Sequence, residues 1–295
     1  MDQQGQALTY FRGHASDWQR KAVAPKQEYN VIEARNAAVL ITLSELGKAG
    51  RLLDVGCGTG QLVVDAARRG VAAHGIDFAP EMIAQCETNR SAAGVKARFE
   101  TLSFFDFKAP QELFDVVSAQ GFIEYISIEA MEDFFKRAAA MLRPGGALVV
   151  GSRNRLYNAV SMNRFTEMER KLGVLDRLTA EAIAIQTAGS QQEAFEALKS
   201  HERIDPQPAQ HPDTGIGVAL RHQFSPAELI GRLRRHDLSP ANIYPIHFHA
   251  LPPNLKEKFP GVHHETANIM QQLAPVEHRL VPCCSSYVLD VRKGQ

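Results

Sequence analysis

The stretch LLDVGCGTG, residues 52–60, lies between a short apolar run and a segment with helical periodicity. Residues 51–55 are apolar and predict a β-strand, while residues 61–69 predict a helix that ends at Gly70. Glycines at such a turn let backbone N–H groups approach a ligand closely. In an open α/β sheet, nucleotide-like ligands bind at a turn of this kind, so the stretch predicts a binding loop.

The same alternation of strand and helix continues along the first half of the chain. Further strands are predicted at 72–77, 96–102, 114–119 and 147–151, and helices at 31–46, 80–93 and 128–142. The strands are nearly continuous apolar runs, as expected when helices cover both faces of a parallel sheet. The pattern stops at 154–220, which predicts helices without a strand. It resumes with a capped helix opening at Ser225, where Glu228 suggests a capping box, and with strands at 242–250 and 286–291.

The loop spacing and two acids indicate the kind of ligand. The glycines follow GxGxG rather than GxGxxG, and no lysine follows them, so both phosphate-binding templates fail. Asp54 would repel a pyrophosphate but suits a cationic head group. Asp77 ends the second strand, at the position where a carboxylate accepts ribose hydroxyls. S-adenosylmethionine fits because it has an ammonium group, a ribose and no phosphate. Two alternatives are a tight turn without a ligand and an N-cap role for Asp77.

Several stretches resemble the class I S-adenosylmethionine-dependent methyltransferases of the UbiG-like, type 11/12 kind. The matching residues are LLDVGCGTG (52–60), HGIDFAPEMI (74–83), FDVVSAQGFIEYI (114–126), MLRPGGALVVGSRN (141–154) and, more loosely, RHQFSPAELIGRL (221–233). The resemblance implies a Rossmann-like α/β fold: a seven-stranded, mostly parallel sheet with a reversed last strand, helices on both faces and helical insertions forming a lid. It implies S-adenosylmethionine as the cofactor and S-adenosylhomocysteine as the product.

The resemblance also implies a set of cofactor contacts. The methionine part would lie against the loop and the end of the fourth strand, the ribose against Asp77, and the adenine beside the second and third strands. A serine stands where the family usually has an acid that contacts the adenine amine. The implied residues are Asp54, Gly56, Cys57, Gly58, Gly60, Asp77, Phe78, Met82, Ser103, Phe104, Gln120 and Gly121.

Candidates for catalysis and for acceptor binding come from the same edge of the sheet and from the N-terminal segment. A general base can assist proton loss from the acceptor, and three residues are candidates: His222, His14 and Glu124. Acceptor contacts are predicted for Tyr125, Arg153 and Asn154, with Arg153 suited to an anionic group. The aromatic residues of 10–18 are predicted to pack over the cofactor. Surface positions for His222 and Arg153 are the alternatives.

No resident metal is predicted. His247 and His249 lie on one face of a strand, and His263, His264, Cys283 and Cys284 follow later in the chain. This grouping hints at a metal site, but its spacing matches no known template.

Composition limits the classes of function. The chain has 295 residues, 44% hydrophobic, with 33 Lys and Arg against 33 Asp and Glu, so a wholly disordered or coiled-coil chain is excluded. The zero net charge gives no overall basic field for nucleic acid. No signal sequence or membrane span is evident, and the four cysteines suggest no disulfide framework. A cytoplasmic monomer or homodimer is therefore expected.

The prediction is a methyltransferase that transfers a methyl group in line to a small-molecule acceptor, at oxygen rather than nitrogen or carbon. Residues 1–30 would form a lid, 31–153 with 221–295 the α/β domain, and 154–220 a helical substrate cap. Alternatives are an RNA or protein methyltransferase, supported by basic residues at 232–235, and a non-catalytic module that binds S-adenosylmethionine. A dinucleotide-dependent oxidoreductase is disfavoured by the loop spacing.

Overall fold

A single seven-stranded sheet organises the molecule. The computed structural model describes residues 3–23, 28–47, 50–108, 111–214, 218 and 220–294. Its strands are β1 (Arg51–Val55), β2 (Ala72–Asp77), β3 (Arg98–Thr101), β4 (Phe114–Ala119), β5 (Leu142–Arg153), β6 (Leu238–Phe248) and β7 (Cys284–Lys293).

The strand order is β3-β2-β1-β4-β5-β7-β6. The first five strands pair in parallel, and β7 runs antiparallel to both β5 and β6. The predicted Rossmann-like fold with a reversed last strand is therefore confirmed. The parallel order places the carboxyl ends of β1, β2 and β4 side by side, so the loops that follow these strands meet at one edge.

Helices surround the sheet and cover its ends. The α-helices of the described residues are α1 (Gln3–Gly13), α2 (Ala15–Ala22), α3 (Val31–Glu45), α4 (Gln61–Arg68), α5 (Pro80–Ala93), α6 (Ile128–Met141), α7 (Arg155–Val160), α8 (Arg164–Lys171), α9 (Leu175–Thr187), α10 (Gln191–Leu198), α11 (Pro226–Arg234), α12 (Pro253–Lys256) and α13 (Pro260–Gln271). Short 3-10 turns occur at Phe104–Asp106, Ile123–Tyr125, Lys199–His201 and His278–Cys283.

Neighbouring residues of the central strands face opposite layers of the core. Leu53 and Val117 belong to one buried apolar cluster, while Leu52 and Val116 belong to the other. This alternation follows from the two-residue period of a β-strand, and it requires helices on both faces of the sheet. The central strands are apolar throughout because helices cover both faces of the sheet, as predicted.

Several element boundaries differ from the sequence predictions, most clearly in the last three strands. Strand β5 begins at Leu142, five residues before the predicted start, because Leu142 already pairs with Phe114 ahead of a register shift. The Pro144-Gly145-Gly146 segment therefore lies within the strand, not between helix and strand. Strands β6 and β7 also begin earlier than predicted.

The predicted capping box is half correct. The Ser225 hydroxyl accepts the Glu228 backbone N–H at 3.3 Å, as an N-cap should. The Glu228 carboxylate is buried and instead accepts from the guanidinium of Arg232 at 2.9 Å.

A buried ion pair joins helices α7 and α8 of the helical segment that follows β5. Arg155 and Glu169 are 1% and 0% exposed, and the Arg155 Nε and Nη2 donate to the carboxylate at 2.8–3.1 Å. Asn158 adds a hydrogen bond to the same carboxylate at 2.8 Å. Within the described part of the chain, every helix is too short or too polar to cross a membrane.

Candidate active site

The glycine loop is shaped by three residues in the left-handed region. Gly56, Gly58 and Gly60 have φ values of +67°, +55° and +83°. A Cβ on Gly60 would lie 2.9 Å from the Phe99 ring and from the Cys86 sulfur, whereas a Cβ on Gly58 would meet nothing within 4 Å. The lack of a side chain at Gly60 therefore lets the loop pack closely against Cys86 and Phe99. Gly58 instead borders open space in the cavity.

Asp77 fixes the loop to the end of β2. Its Oδ2 accepts the Gly58 N–H at 3.0 Å and its Oδ1 accepts the Ala79 N–H at 2.9 Å. Burial raises the pKa of this carboxyl to about 6. The N-cap of α5 is Ala79, so Asp77 holds the turn before the helix rather than capping it. A carboxylate has about four lone-pair sites, which leaves acceptor capacity for a ligand.

Asp54 is the second buried acid beside the loop. It lies at the carboxyl end of β1 and is 4% exposed. Burial raises its pKa to about 7. A cationic group nearby would stabilise the ionised form, because opposite charges attract strongly where water is excluded.

One cavity lies over this edge of the sheet. All predicted cofactor contacts except Gly60 line it, together with Glu124 and Tyr125. The lining contacts that were predicted are Asp54, Gly56, Cys57, Gly58, Asp77, Phe78, Met82, Ser103, Phe104, Gln120 and Gly121.

The N-terminal helices contribute aromatic rings to the same cavity. Phe11 of α1 and Trp18 of α2 line it, with ring centroids 5.8 Å apart. The Phe11 ring also lies 5.3 Å from that of Tyr125. The indole N–H of Trp18 is buried and has no hydrogen-bond partner among the described residues. The cavity wall therefore combines aromatic surface with polar groups.

An acid among arginines forms the far part of the wall. Glu124 is 1% exposed, and its carboxylate accepts from Arg221 Nε at 2.8 Å and lies 3.9 Å from Arg35 Nη1. Although burial acts in the opposite direction, these arginines and Arg153 hold the pKa of Glu124 below its usual value. The Arg221 guanidinium lies 5.0 Å from the centre of the Tyr125 ring. Positive charge exceeds negative charge at this end.

Besides Gly60, four predicted site residues lie outside the cavity lining. His222 is 4% exposed and stacks on Phe224, with ring centroids 6.0 Å apart. The Nδ1 of His14 contacts the backbone carbonyl of Tyr10 at 2.7 Å. Arg153, at the end of β5, interacts electrostatically with Glu124 and Arg221. The amide of Asn154 donates to the backbone oxygens of Val281 and Cys284 at 2.7 and 2.9 Å. That amide therefore joins the end of β5 to the start of β7 and does not line the cavity.

Arg35 is a lining residue that the sequence did not indicate. It lies in α3, the helix that precedes β1. Its Nη2 donates to the Ser286 hydroxyl of β7 at 3.1 Å. A single arginine within a predicted helix gives no indication in the sequence that it lines a cavity. Its position depends on the packing of α3 against the reversed strand. None of the described residues of 155–220 lines the cavity, so the substrate cap stays a prediction.

The parallel sheet with a reversed strand, the GxGxG loop and the two buried acids define the class I methyltransferase fold. In agreement, residues 52–146 match a family described as a methyltransferase domain. The described part of the chain therefore has the fold of the class I S-adenosylmethionine-dependent methyltransferases, and its residues 52–146 resemble a methyltransferase domain.

Curated relatives share this part of the chain. A ubiquinone biosynthesis O-methyltransferase of Rhizobium etli is 31% identical over 115 residues, covering 39% of this chain and 46% of that protein. One from Xanthomonas euvesicatoria is 30% identical over 156 residues, covering 52% and 64%. The chain thus spans about half the length of these curated relatives.

A solved structure extends the likeness in fold to the whole chain. Magnesium protoporphyrin IX methyltransferase from Synechocystis, crystallised with S-adenosylhomocysteine, has a TM-score of 0.59 and 13% identity, covering 99% of this chain and 100% of that one. At this identity the likeness concerns the fold alone.

Proposed function

We propose that this protein is a methyltransferase that uses S-adenosylmethionine to methylate a small molecule, at oxygen. The observation that carries the proposal is the pair of buried carboxylates, Asp54 and Asp77, on either side of a glycine loop that opens into a cavity. S-adenosylmethionine supplies an electrophilic methyl group when it is bound.

The residues at the loop suit the parts of this cofactor. Asp54 would pair with the ammonium group, which favours the ionised carboxylate over the protonated one. Asp77 has free acceptor positions for the ribose hydroxyls. Phe78, Met82 and Phe104 provide apolar surface for the adenine. Two carboxylates disfavour a pyrophosphate, which argues against a dinucleotide at the same place.

The chain contributes to transfer by positioning and by excluding water. Holding an acceptor in line with the transferred carbon can contribute roughly 7–11 kcal/mol in favourable cases. Phe11, Trp18 and Tyr125 would keep water from the reacting groups. Glu124 lines the cavity, but its lowered pKa makes it a weak base, so an orienting role suits it better.

The arginines around Glu124 favour an acceptor with negative charge. Arg35 and Arg221 line the cavity, and Arg153, at the end of β5, interacts electrostatically with Glu124. Three guanidinium groups face one carboxylate, which leaves a net positive charge for a carboxylate or an ionised hydroxyl. Oxygen as the methylated atom is supported by the O-methyltransferase relatives.

Calorimetry and product analysis test the proposal. S-adenosylhomocysteine should bind with about one equivalent per chain, and NAD should not bind. The protein is then incubated with labelled S-adenosylmethionine and a panel of neutral, anionic and cationic hydroxyl compounds. Methyl ethers or esters of anionic members would support the proposal. Cofactor binding without transfer would favour a binding module, and label in RNA or protein would favour the other alternative.

A further inference from the structure

Three histidine rings converge at the edge of the sheet formed by β6. His247 is the penultimate residue of that strand, His249 follows its end, and His263 lies on α13. The Nε2 atoms of His247 and His263 are 3.0 Å apart. One ring nitrogen from each of the three residues lies within 4.8 Å of the others.

The surrounding backbone and aromatic rings hold the histidines in this arrangement. His247 has a φ of +64°, which is uncommon for a residue with a Cβ. Tyr29 stacks on the His247 ring at 4.9 Å, and its hydroxyl accepts the His247 backbone N–H at 2.9 Å. Tyr157 stacks on His249 at 4.7 Å. The rings are therefore fixed from two sides.

The ring nitrogens are poorly satisfied by the protein itself. Both ring nitrogens of His249, and Nδ1 of His263, are buried without a hydrogen-bond partner among the described residues. His263 is 5% exposed. Buried polar atoms normally have partners, and missing partners at a cluster of three imidazoles point to a metal ion.

We propose that His247, His249 and His263 form a three-histidine site for a divalent transition-metal ion of the zinc type. With Zn–N distances near 2.0–2.1 Å, tetrahedral ligand nitrogens lie roughly 3.3 Å apart. The Nε2 atoms of His247 and His263, 3.0 Å apart and in hydrogen-bond contact, lie close to that spacing. All three ligand nitrogens lie within 4.8 Å, so the side chains must shift by an ångström or two to bind the ion together. The fourth position is open to water or an anion. The ion joins α13 to the edge strand of the sheet, independently of methyl transfer.

Metal titration of the full chain tests the site. The protein is freed of metal with a chelator, and Zn²⁺ alone is added in a calorimeter. One equivalent should bind, and the melting temperature should rise with it. His249→Ala and His263→Ala should each weaken binding at least tenfold and remove the rise in melting temperature. His264→Asn is the matched control, since His264 neighbours the cluster and the Asn oxygen can still accept the Tyr29 N–H.

A second measurement covers the case in which a histidine variant fails to fold. Co²⁺ added to the metal-free wild type should give the intense visible absorption of a tetrahedral ion with nitrogen ligands. Wild-type protein that binds no Zn²⁺, weak absorption typical of octahedral Co²⁺, or wild-type affinity in a folded His249→Ala variant would overturn the proposal. All these measurements omit S-adenosylmethionine, so their failure is separate from failure of the proposed methyl transfer.

Discussion

The carboxylate of Asp77 accepts the backbone N–H of Gly58, 3.0 Å away, and so joins the end of β2 to the loop that follows β1. The bond is made by a residue that is 6% exposed, where water cannot replace it. One side chain thus sets the loop conformation and offers acceptor positions to a ligand.

Replacing this carboxylate tests the ribose assignment. Asp77→Ala should weaken S-adenosylhomocysteine binding by about 10- to 100-fold, since hydrogen bonds to charged groups contribute about 1.5–3 kcal/mol each. Asp77→Asn keeps one acceptor oxygen and should lose less. Asp106→Ala removes an exposed acid from a nearby turn and should bind like the wild type. Calorimetry measures all three, and unchanged affinity in Asp77→Ala would contradict the assignment.

The stability of the ligand-free protein should fall as the pH rises through the range in which Asp54 ionises. Burial raises the pKa of Asp54 from 3.8 to about 7, so between these values the folded state binds more protons than the unfolded state. The free energy of unfolding therefore decreases from about pH 4 to about pH 7 and then levels off for this group.

Asp54→Asn isolates that contribution. The variant should be more stable than the wild type at pH 8, by about 4 kcal/mol, and the difference should disappear near pH 4. Urea unfolding at several pH values measures it. A difference that does not change with pH would show that Asp54 ionises at its ordinary value in the folded protein.

Glu124 should contribute to stability and to acceptor binding rather than to proton transfer. Glu124→Gln leaves buried arginines without their carboxylate and should cost about 3–5 kcal/mol of stability. The wild-type contribution should be lost as the pH falls, because the pKa of Glu124 is lowered in the folded state. Urea unfolding measures it, with Glu112→Gln as the exposed control. Equal stability of Glu124→Gln and wild type would rule out this contribution.

The buried pair of Arg155 and Glu169 has an exposed counterpart in the same segment. Arg170 and Glu167 also form a two-bonded pair, at 2.7–2.8 Å, but their side chains are 63% and 46% exposed. Arg155→Met should cost about 3–5 kcal/mol because it leaves a buried carboxylate unpaired. Arg170→Met should cost less than about 1 kcal/mol. Thermal unfolding compares them, and equal losses would show that burial does not matter here.

The first half of the fold was predictable because local sequence determines it. The bounds of β1, β2, β4 and α5 follow from apolar runs, a proline at a helix start and a glycine after a helix end. The glycine loop and its acids lie at the ends of these elements, so most residues that line this part of the cavity could be named from the sequence, while their cofactor contacts stay a prediction.

The remaining features depend on contacts between distant segments. Arg35 reaches the cavity through the packing of α3 on β7, and Asn154 turns away from it to bind Val281 and Cys284. His247, His249 and His263 meet because α13 folds back on β6, so their spacing in the sequence resembles no metal-binding motif. Such long-range arrangements leave no periodic signal in the chain.

The attachment of helix α2 has a consequence for kinetics. None of its residues is buried, although Trp18 reaches the cavity. A segment held by so little buried surface opens at low free-energy cost. Under the proposed function, release of S-adenosylhomocysteine, rather than methyl transfer, is expected to limit the steady-state rate. That rate should then decline as solvent viscosity is increased.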